Sequence, residues 1–232
     1  MHILFTRPLE DSGEIILKFQ SLGHDVSHMP LINIESKNYE SINFADYNGI
    51  IFTSSNAIKF LDLKSIDKKI NCFCVGSATE KKAKSSGFQN IFCADGNVNN
   101  LKELILQNFN SLDGKLLYVS GEIISNELDQ QLISEGYNVK RIINYTANPI
   151  VKFNAEFIEK LKLKMPEIVY VYSQNSAISF LNLIKNYQLE NLWMDANLMC
   201  IGEKTSAVLN EIKWKKIFLF NSGEEEFLLY KI

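Results

Sequence analysis

The chain has 232 residues, of which 46% are hydrophobic and 22% are charged. These values are close to the averages of globular proteins, and the length predicts two compact domains. The net charge of −3 excludes a global basic field that would gather nucleic acid, so no nucleic-acid partner is expected. An anionic ligand would therefore have to be held by local donors.

The N-terminal residues reach Arg7 and Glu10 at once, and no run of about 18 apolar residues is present. We therefore expect neither a secretion signal nor a membrane span, and no membrane partner. The four cysteines, at positions 72, 74, 93 and 200, lack the C-x-x-C spacing of zinc and redox sites. They are predicted to be buried free thiols of a cytoplasmic protein, and no metal site is predicted.

The N-terminal unit, called A, has the pattern strand, helix, strand. Residues 3–6 form an apolar run, residues 15–22 have helical character, and residues 26–34 read as a second strand. Pro30, near the middle of that second strand, indicates an edge strand or a bend. The polar stretch 37–48 is predicted to be a loop.

The next unit, called B, has three strand and helix pairs. Its strands are predicted at 49–52, 72–75 and 90–93. The polar residues 53–56 are N-cap formers for a short helix, and further helices follow Gly76 and the turn at Asp95-Gly96.

Both units recur later in the chain. An offset of 113 places Phe5 on Tyr118 and Gly23 on Gly136, which defines a second A unit, called A′. Offsets of 120 and 126 place Phe52 on Tyr172 and Cys74 on Cys200, which defines a second B unit, called B′. The chain is then expected to close with a strand at 217–220 and an amphipathic helix at 224–232, after Ser222-Gly223.

Continuous apolar strands that alternate with helices predict parallel sheets covered on both faces. The predicted fold class is therefore α/β, with two similar doubly wound parallel-sheet domains joined by two crossing linkers. The residues themselves leave open whether A shares a sheet with B or with B′.

Ligands of such sheets bind at the carboxyl ends of the strands, where turns lead into helix N-termini. Six turns place hydroxyl groups, glycines or an arginine beside backbone amides that can hold anions. The candidate binding residues in these turns are Thr6, Arg7, Ser54, Ser55, Gly76, Thr79, Ser120, Gly121, Ser173, Gln174, Asn175, Gly202 and Thr205. We expect the turns to face one cleft. The alternative is that the Ser and Thr side chains only cap helices.

Several common motifs are missing. No G-x-G-x-x-G follows a strand, Glu203 stands where a P-loop needs a glycine before Lys204, and there is no G-x-S-x-G. Tyr145 is a candidate because it is predicted to end a strand of A′, where the chain leaves one domain. A phenol there can donate a hydrogen bond or a proton to a leaving group, or it can simply pack at a hinge.

Taken together, these pieces resemble the uroporphyrinogen-III synthase family over nearly the whole chain. The matching pieces are Ile3-Leu4-Phe5-Thr6-Arg7-Pro8, residues 50–57, residues 75–79, Gly136 with Val139 and Tyr145, residues 173–177, and Ile201-Gly202 with Thr205. Many members carry Ser-Pro after the strand of the B unit, where this chain has Ser54-Ser55 and Gln174-Asn175.

The resemblance implies that A pairs with B′ and B with A′. Domain 1 would comprise residues 1–34 and 151–232, and domain 2 residues 37–146. The links near residues 33–37 and 146–151 would form a hinge for closure over the substrate.

The resemblance also implies an activity without a cofactor. The family closes hydroxymethylbilane, which carries eight carboxylates, to uroporphyrinogen III, with loss of water and inversion of ring D through a spiro intermediate. Tyr145 would assist departure of the hydroxyl group, as a catalytic residue. A monomer is expected, with transient contact to the upstream bilane-forming enzyme.

Two other functions fit hinged α/β pairs. One is a non-catalytic, two-lobed cytoplasmic protein that binds a tetrapyrrole-like anion. The other is a transferase that uses a nucleotide-sugar or a cofactor, although the missing phosphate and dinucleotide loops weigh against it.

Overall fold

The computed structural model describes residues 1–221 and 224–225. The strands are β1 (His2–Phe5), β2 (Asp25–His28), β3 (Ile32–Ser36), β4 (Gly49–Phe52), β5 (Asn71–Val75), β6 (Asn90–Ala94), β7 (Lys115–Gly121), β8 (Asn138–Pro149), β9 (Ile168–Val171), β10 (Asn197–Ile201) and β11 (Lys216–Phe220). The helices are α1 (Leu9–Ser21), α2 (Ser55–Lys59), α3 (Ser77–Ser85), α4 (Val98–Asn108), α5 (Leu128–Ser134), α6 (Ala155–Leu163), α7 (Gln174–Asn186) and α8 (Gly202–Leu209).

The chain folds as two compact units, called unit 1 (Met1–Asn33 with Asn148–Ile232) and unit 2 (Ile34–Ala147). The sheet of unit 1 has the order β11-β10-β9-β1-β2, and all of its neighbouring strands are parallel. Apolar side chains cover both faces of this sheet. One face packs against α7 and α8 through residues such as Val169 and Leu198, and the other packs against α1 through Phe5 and Tyr170.

The second sheet has the order β3-β8-β7-β4-β5-β6, and its strands from β8 to β6 run parallel. One face of this sheet packs against α2 and α3, and the other packs against α4 and α5. Helices therefore cover both faces of both sheets, which confirms the predicted fold class. In the part of the chain that the structure describes, no helix is long and apolar enough to span a membrane.

Equivalent residues pair within each of the two sheets. In unit 1 His2 pairs with Asp25, and in unit 2 Lys115 pairs with Asn138, so both partners differ by the predicted offset of 113. The offset of 126 is confirmed in the same way, because Asn71 pairs with Asn90 as Asn197 pairs with Lys216.

The predicted offset of 120 between β4 and β9 is wrong within the sheet. Gly49 pairs with Asn71 and Ile168 pairs with Asn197, so these strands are related by 119 residues. The helices after these strands keep the offset of 119 as well, since their N-caps, Ser54 and Ser173, are 119 residues apart.

Two other predictions about the strands need revision. Residues 26–34 form two strands in different sheets, β2 and β3, because the chain bends through Pro30 between them. The strand predicted to end at Tyr145 continues to Pro149. The predicted helix at 224–232 and Ser222-Gly223 before it lie largely outside the described residues. All four cysteines are free, and three are buried whereas Cys93 is half-buried.

Candidate functional site

The parallel strands of each sheet place the candidate turns at one edge of that sheet, because their carboxyl ends point the same way. In unit 1 these turns follow β1, β9 and β10, and in unit 2 they follow β4, β5 and β7. Each unit thus carries its own set of candidates, and their side chains differ in whether their polar atoms already have partners within the protein.

Thr6 is fully buried, and its hydroxyl group donates a 2.6 Å hydrogen bond to the carbonyl oxygen of Tyr170. This bond joins the ends of β1 and β9 inside the sheet. The hydroxyl hydrogen of Thr6 thus has its acceptor inside the core, and contact between Thr6 and a ligand stays a prediction.

Arg7, the next residue, is half-buried, and its guanidinium carbon lies 5.2 Å from the centroid of the Tyr172 ring. Its carbonyl oxygen accepts a hydrogen bond from the ring of His28, 2.7 Å away. A guanidinium that stacks on an aromatic face can still direct the donors on its edge toward a planar anion such as a carboxylate. Arg7 thus remains a candidate for anion binding.

Ser54 and Ser173 are helix caps. Ser54 accepts a hydrogen bond from the amide of Asn56 at the start of α2, and Ser173 accepts one from the amide of Ser176 at the start of α7. The alternative role of the hydroxyl residues therefore applies to these two serines. Ser55, Gln174 and Asn175 lie in the first turns, and the last two are exposed.

Gly76 and Gly202 both have positive φ angles, of +83° and +70°. Each follows a central strand and leads directly into a helix, α3 or α8. Residues other than glycine are strained at such angles, so both turns depend on glycine. The helix amides at these turns are donors that an anion could use.

Thr79 and Thr205 lie in the first turns of these two helices, and both are buried, with 5% and 3% of their surfaces exposed. Neither side chain caps its helix, and among the described residues neither hydroxyl group has a hydrogen-bond partner. The capping alternative therefore fails for both threonines. Neither hydroxyl oxygen is among the buried polar atoms that lack a partner, so each remains accessible and could form a hydrogen bond with a ligand.

Ser120 and Gly121 lie at the end of β7 and are buried. The hydroxyl of Ser120 donates to the carbonyl oxygen of Gly121 at 3.1 Å and accepts a 2.8 Å bond from Nε of Arg141. Contact between Ser120 and a ligand stays a prediction. The serine hydroxyl holds Arg141, a residue that the sequence analysis did not single out.

Tyr145 lies on β8, opposite Gly121, where a β-bulge shifts the register between β7 and β8. The centroid of its ring lies 6.4 Å from that of the Phe60 ring, and the Tyr145 side chain is half-buried. No described residue forms a hydrogen bond with its hydroxyl group. The phenol is therefore available to an external acceptor or leaving group at this edge.

Two further tyrosines were also missed. The Tyr172 hydroxyl is buried and has no hydrogen-bond partner among the described residues. Burial raises its pKa far above the usual range, the charge of Glu225 raises it further, and Arg7 opposes the shift. In unit 2 the Tyr118 hydroxyl lies 3.2 Å from that of Thr53, and burial raises the pKa of Tyr118. Tyr172 directly follows β9, and only that position could have marked it, whereas Tyr118 lies inside β7.

Within the described residues no group of three or more His, Cys, Asp or Glu side chains could hold a metal ion. The polar groups described above include hydroxyls, side-chain and main-chain amides and two guanidinium groups. The fold and these groups define an α/β protein of two similar open sheets, which offers neutral and cationic donors to an anionic ligand.

Comparison with known proteins names the family. The family model "Uroporphyrinogen-III synthase HemD" matches residues 13–219, so the chain belongs to the uroporphyrinogen-III synthase family, as its sequence predicted. The porphyrin biosynthesis protein HemD of Ruminiclostridium josui is 27% identical over 220 residues, which cover 88% of this chain and 42% of that protein. This chain thus spans less than half the length of that curated relative.

Two solved structures share the fold. Uroporphyrinogen-III synthetase from Helicobacter pylori 26695 is 20% identical, with a TM-score of 0.67, and the match covers 100% of this chain and 99% of that one. A mutant uroporphyrinogen III synthase from the extremely thermophilic bacterium Thermus thermophilus is 15% identical, with a TM-score of 0.54, over 100% and 97% of the two chains.

Proposed function

We propose that this chain is an active uroporphyrinogen-III synthase, which closes hydroxymethylbilane to uroporphyrinogen III with loss of water and inversion of ring D. The observation that carries the proposal is the equivalent pair Thr79 and Thr205. Both are buried, neither caps its helix, and neither has a hydrogen-bond partner among the described residues. Two such hydroxyls, each beside the N-terminus of a helix, suit the carboxylates of a tetrapyrrole.

The grip on the substrate would come from these hydroxyls, from Arg7 and from main-chain amides. Ser54, Ser55, Ser173, Gln174 and Asn175 lie where α2 and α7 begin, so their amides are close to the strand ends. Gly76 and Gly202 would admit a carboxylate close to the backbone, since a Cβ built at either position has no atom within 4 Å. Binding through amides explains how a chain of net charge −3 holds a polyanion.

Tyr145 would be the catalytic residue. The leaving hydroxyl must gain a proton, or a strong hydrogen bond, as its carbon–oxygen bond breaks and water departs. A phenol without an internal partner can supply it. The substituted carbon of the terminal ring then attacks to form the spiro intermediate, and the protein's remaining task is to hold the two ends of the chain together.

The proposal includes action in the cytoplasm, as a monomer and without a cofactor, with transient contact to the upstream bilane-forming enzyme. It also includes hinge motion at residues 33–37 and 146–151, between domains at 1–34 with 151–232 and at 37–146. The position of the chain crossings, between Asn33 and Ile34 and between Ala147 and Asn148, supports these hinges.

The test supplies freshly generated hydroxymethylbilane to the purified protein, oxidises the products and separates the type I and type III uroporphyrin isomers. Without an enzyme the bilane closes without inversion and gives type I. We expect type III in proportion to the protein added. Type I alone would refute the proposal, and binding of the bilane in the same sample would then indicate a non-catalytic protein.

A further inference from the structure

The β-bulge between β7 and β8 is the feature from which this inference starts. Ser120 pairs with Ile143 but Gly121 pairs with Tyr145, so Asn144 is an additional residue on β8. Asn144 is fully buried, and its amide nitrogen donates a 2.7 Å hydrogen bond to the carbonyl oxygen of Ala57. The bulge is thereby fixed to α2, and it turns Tyr145 toward Gly121. Bulges often re-aim a side chain next to an active site.

Gly121 lets the Tyr145 ring lie against the backbone. A Cβ atom built at Gly121 would lie 2.7 Å from Cζ of Tyr145 and 2.9 Å from its Oη. Real Cβ atoms are not found this close to other heavy atoms, so any larger residue at this position must displace the end of the ring that carries the hydroxyl.

Arg141 fixes the end of β7, the strand that lies beside Tyr145. Its Nε donates to Ser120 Oγ at 2.8 Å, and its Nη2 donates to the carbonyl oxygens of Gly121 and Glu122 at 2.9 and 3.2 Å. Arg7 and Arg141 are the two arginines among 24 basic residues. A lysine could not reproduce this clamp, because a single ammonium group lacks the planar fork that spans three acceptors.

Glu122 completes the anchoring of this strand end. Its amide donates a 3.0 Å hydrogen bond to the carbonyl oxygen of Tyr145. Its carboxylate accepts hydrogen bonds from Lys37 and from Thr146, which lower the pKa of Glu122. The residues on both sides of Tyr145 are thus held by hydrogen bonds, while the phenol hydroxyl has no partner among the described residues.

We infer that Gly121 and Arg141 are positioning residues, which hold the Tyr145 hydroxyl where it meets the leaving group. The inference rests on the proposed function, because it assigns these residues to the same reaction. Neither residue exchanges a proton. Gly121 leaves space for the Tyr145 ring, and Arg141 holds the end of β7 that borders this space.

The first test is a double-mutant cycle with Gly121→Ala and Tyr145→Phe, with type III formation as the readout. In the parent protein Gly121→Ala should lower kcat by about 10- to 100-fold, the cost of a displacement near 1 Å, with a smaller change in KM. In the Tyr145→Phe background it should cost about twofold or less. Equal losses in both backgrounds would overturn the inference. Gly13→Ala is the matched control, since a Cβ at Gly13 has no atom within 4 Å.

The second test compares Arg141→Lys with Lys140→Ala, a neighbour whose ion pair with Glu40 is long, at 3.8 Å, and exposed. Arg141→Lys should lower kcat about tenfold, again only where Tyr145 is present, while Lys140→Ala changes nothing. Urea unfolding of each variant shows whether it folds.

An NMR measurement that needs no substrate tests the positions of these residues independently of the proposed function. In protein labelled with ¹³Cζ tyrosine, the Tyr145 resonance is the one that Tyr145→Phe removes. We expect that resonance to shift in Gly121→Ala and Arg141→Lys but not in Gly13→Ala. An inactive parent protein with this shift would refute the function alone, and an active parent protein without it would refute the positioning roles.

Discussion

Each unit has its own sheet, and five strands of the two sheets follow the same order. The units differ after the first pair of these strands, which is β1 with β2 in unit 1 and β7 with β8 in unit 2. In unit 1, β2 ends at His28, whose ring donates a single hydrogen bond to the carbonyl oxygen of Arg7. Offset by 113 residues, Arg141 occupies the equivalent place in unit 2 and donates to three acceptors. From there β8 continues through the bulge to Tyr145 and ends at Pro149.

The buried threonines Thr79 and Thr205, in contrast, occur at equivalent places in both units. The comparison therefore separates the duplicated groups, to which we assign binding, from the Tyr145 arrangement, which the described residues of unit 1 lack and to which we assign the chemical step.

The largest expected effect is that of Tyr145→Phe in unit 2. Loss of the hydroxyl should slow type III formation by up to about 10²- to 10⁴-fold, the contribution typical of a general acid. Tyr187→Phe in unit 1 is the control, because the Tyr187 hydroxyl bonds to the backbone of Phe153. Unchanged turnover in Tyr145→Phe would remove Tyr145 from the mechanism, and the contrast between the units would then concern structure alone.

Thr79→Ala and Thr205→Ala should have smaller and similar effects. A hydrogen bond to a charged group contributes about 1.5–3 kcal/mol, so each variant should bind the bilane about 10- to 100-fold more weakly. The free energy of unfolding should change little, since neither hydroxyl has a partner among the described residues.

Thr79→Ser and Thr205→Ser are the matched controls and should retain most of the affinity. Titration of the bilane against turnover provides the measurement. If only one alanine variant loses affinity, the binding role is not duplicated, and a sharp loss of stability with unchanged kinetics would make these threonines structural.

Removing the serine caps should affect stability in both units. Ser54→Ala and Ser173→Ala should each lower the free energy of unfolding by about 0.5–2 kcal/mol, as measured by urea denaturation. The larger loss is expected for Ser173, which caps the 13-residue helix α7 and also lies 2.9 Å from Ser176 Oγ. A larger loss for Ser54 would reverse this expected order.

The smallest effect is expected from thiol reagents near neutral pH. Burial raises the pKa of Cys200 in unit 1 and of Cys72 in unit 2 to about 12 each. Thiolate, the reactive form, is therefore scarce at pH 8 and should increase about tenfold per pH unit until the pH approaches these values. Only the half-buried Cys93 should react readily in the folded protein, which mass spectrometry after iodoacetamide would show; rapid labelling of Cys200 would contradict it.

The order of strands and helices was predictable because buried parallel strands are continuous apolar runs bounded by glycine and polar turns. The repeat was visible for the same reason. The division of residues 26–34 into β2 and β3 was not predicted, because Pro30 marks a bend without showing that the strands on its two sides enter different sheets.

Within the candidate site, residue type predicted where a side chain lies better than it predicted the hydrogen-bond partners of that side chain. Thr6 and Thr79 look alike in the sequence, yet one donates a hydrogen bond to Tyr170 and the other has no partner among the described residues. Arg141 was missed because an arginine inside a strand follows no motif. Its importance comes from three acceptors that lie about 20 residues away in the sequence and become neighbours through the pairing of β7 with β8.

The discontinuity of unit 1 bears on how the protein forms during synthesis. The strands of unit 2 lie within one continuous stretch, so this unit can assemble as soon as that stretch has left the ribosome. Ile3, however, pairs with Ile168, so β1 can join β2 early but must wait for β9 until most of the chain has been made. For that interval the face of β1 that packs against α7 is exposed, and holding this early segment in solution is the step at which a nascent chain would most benefit from a chaperone.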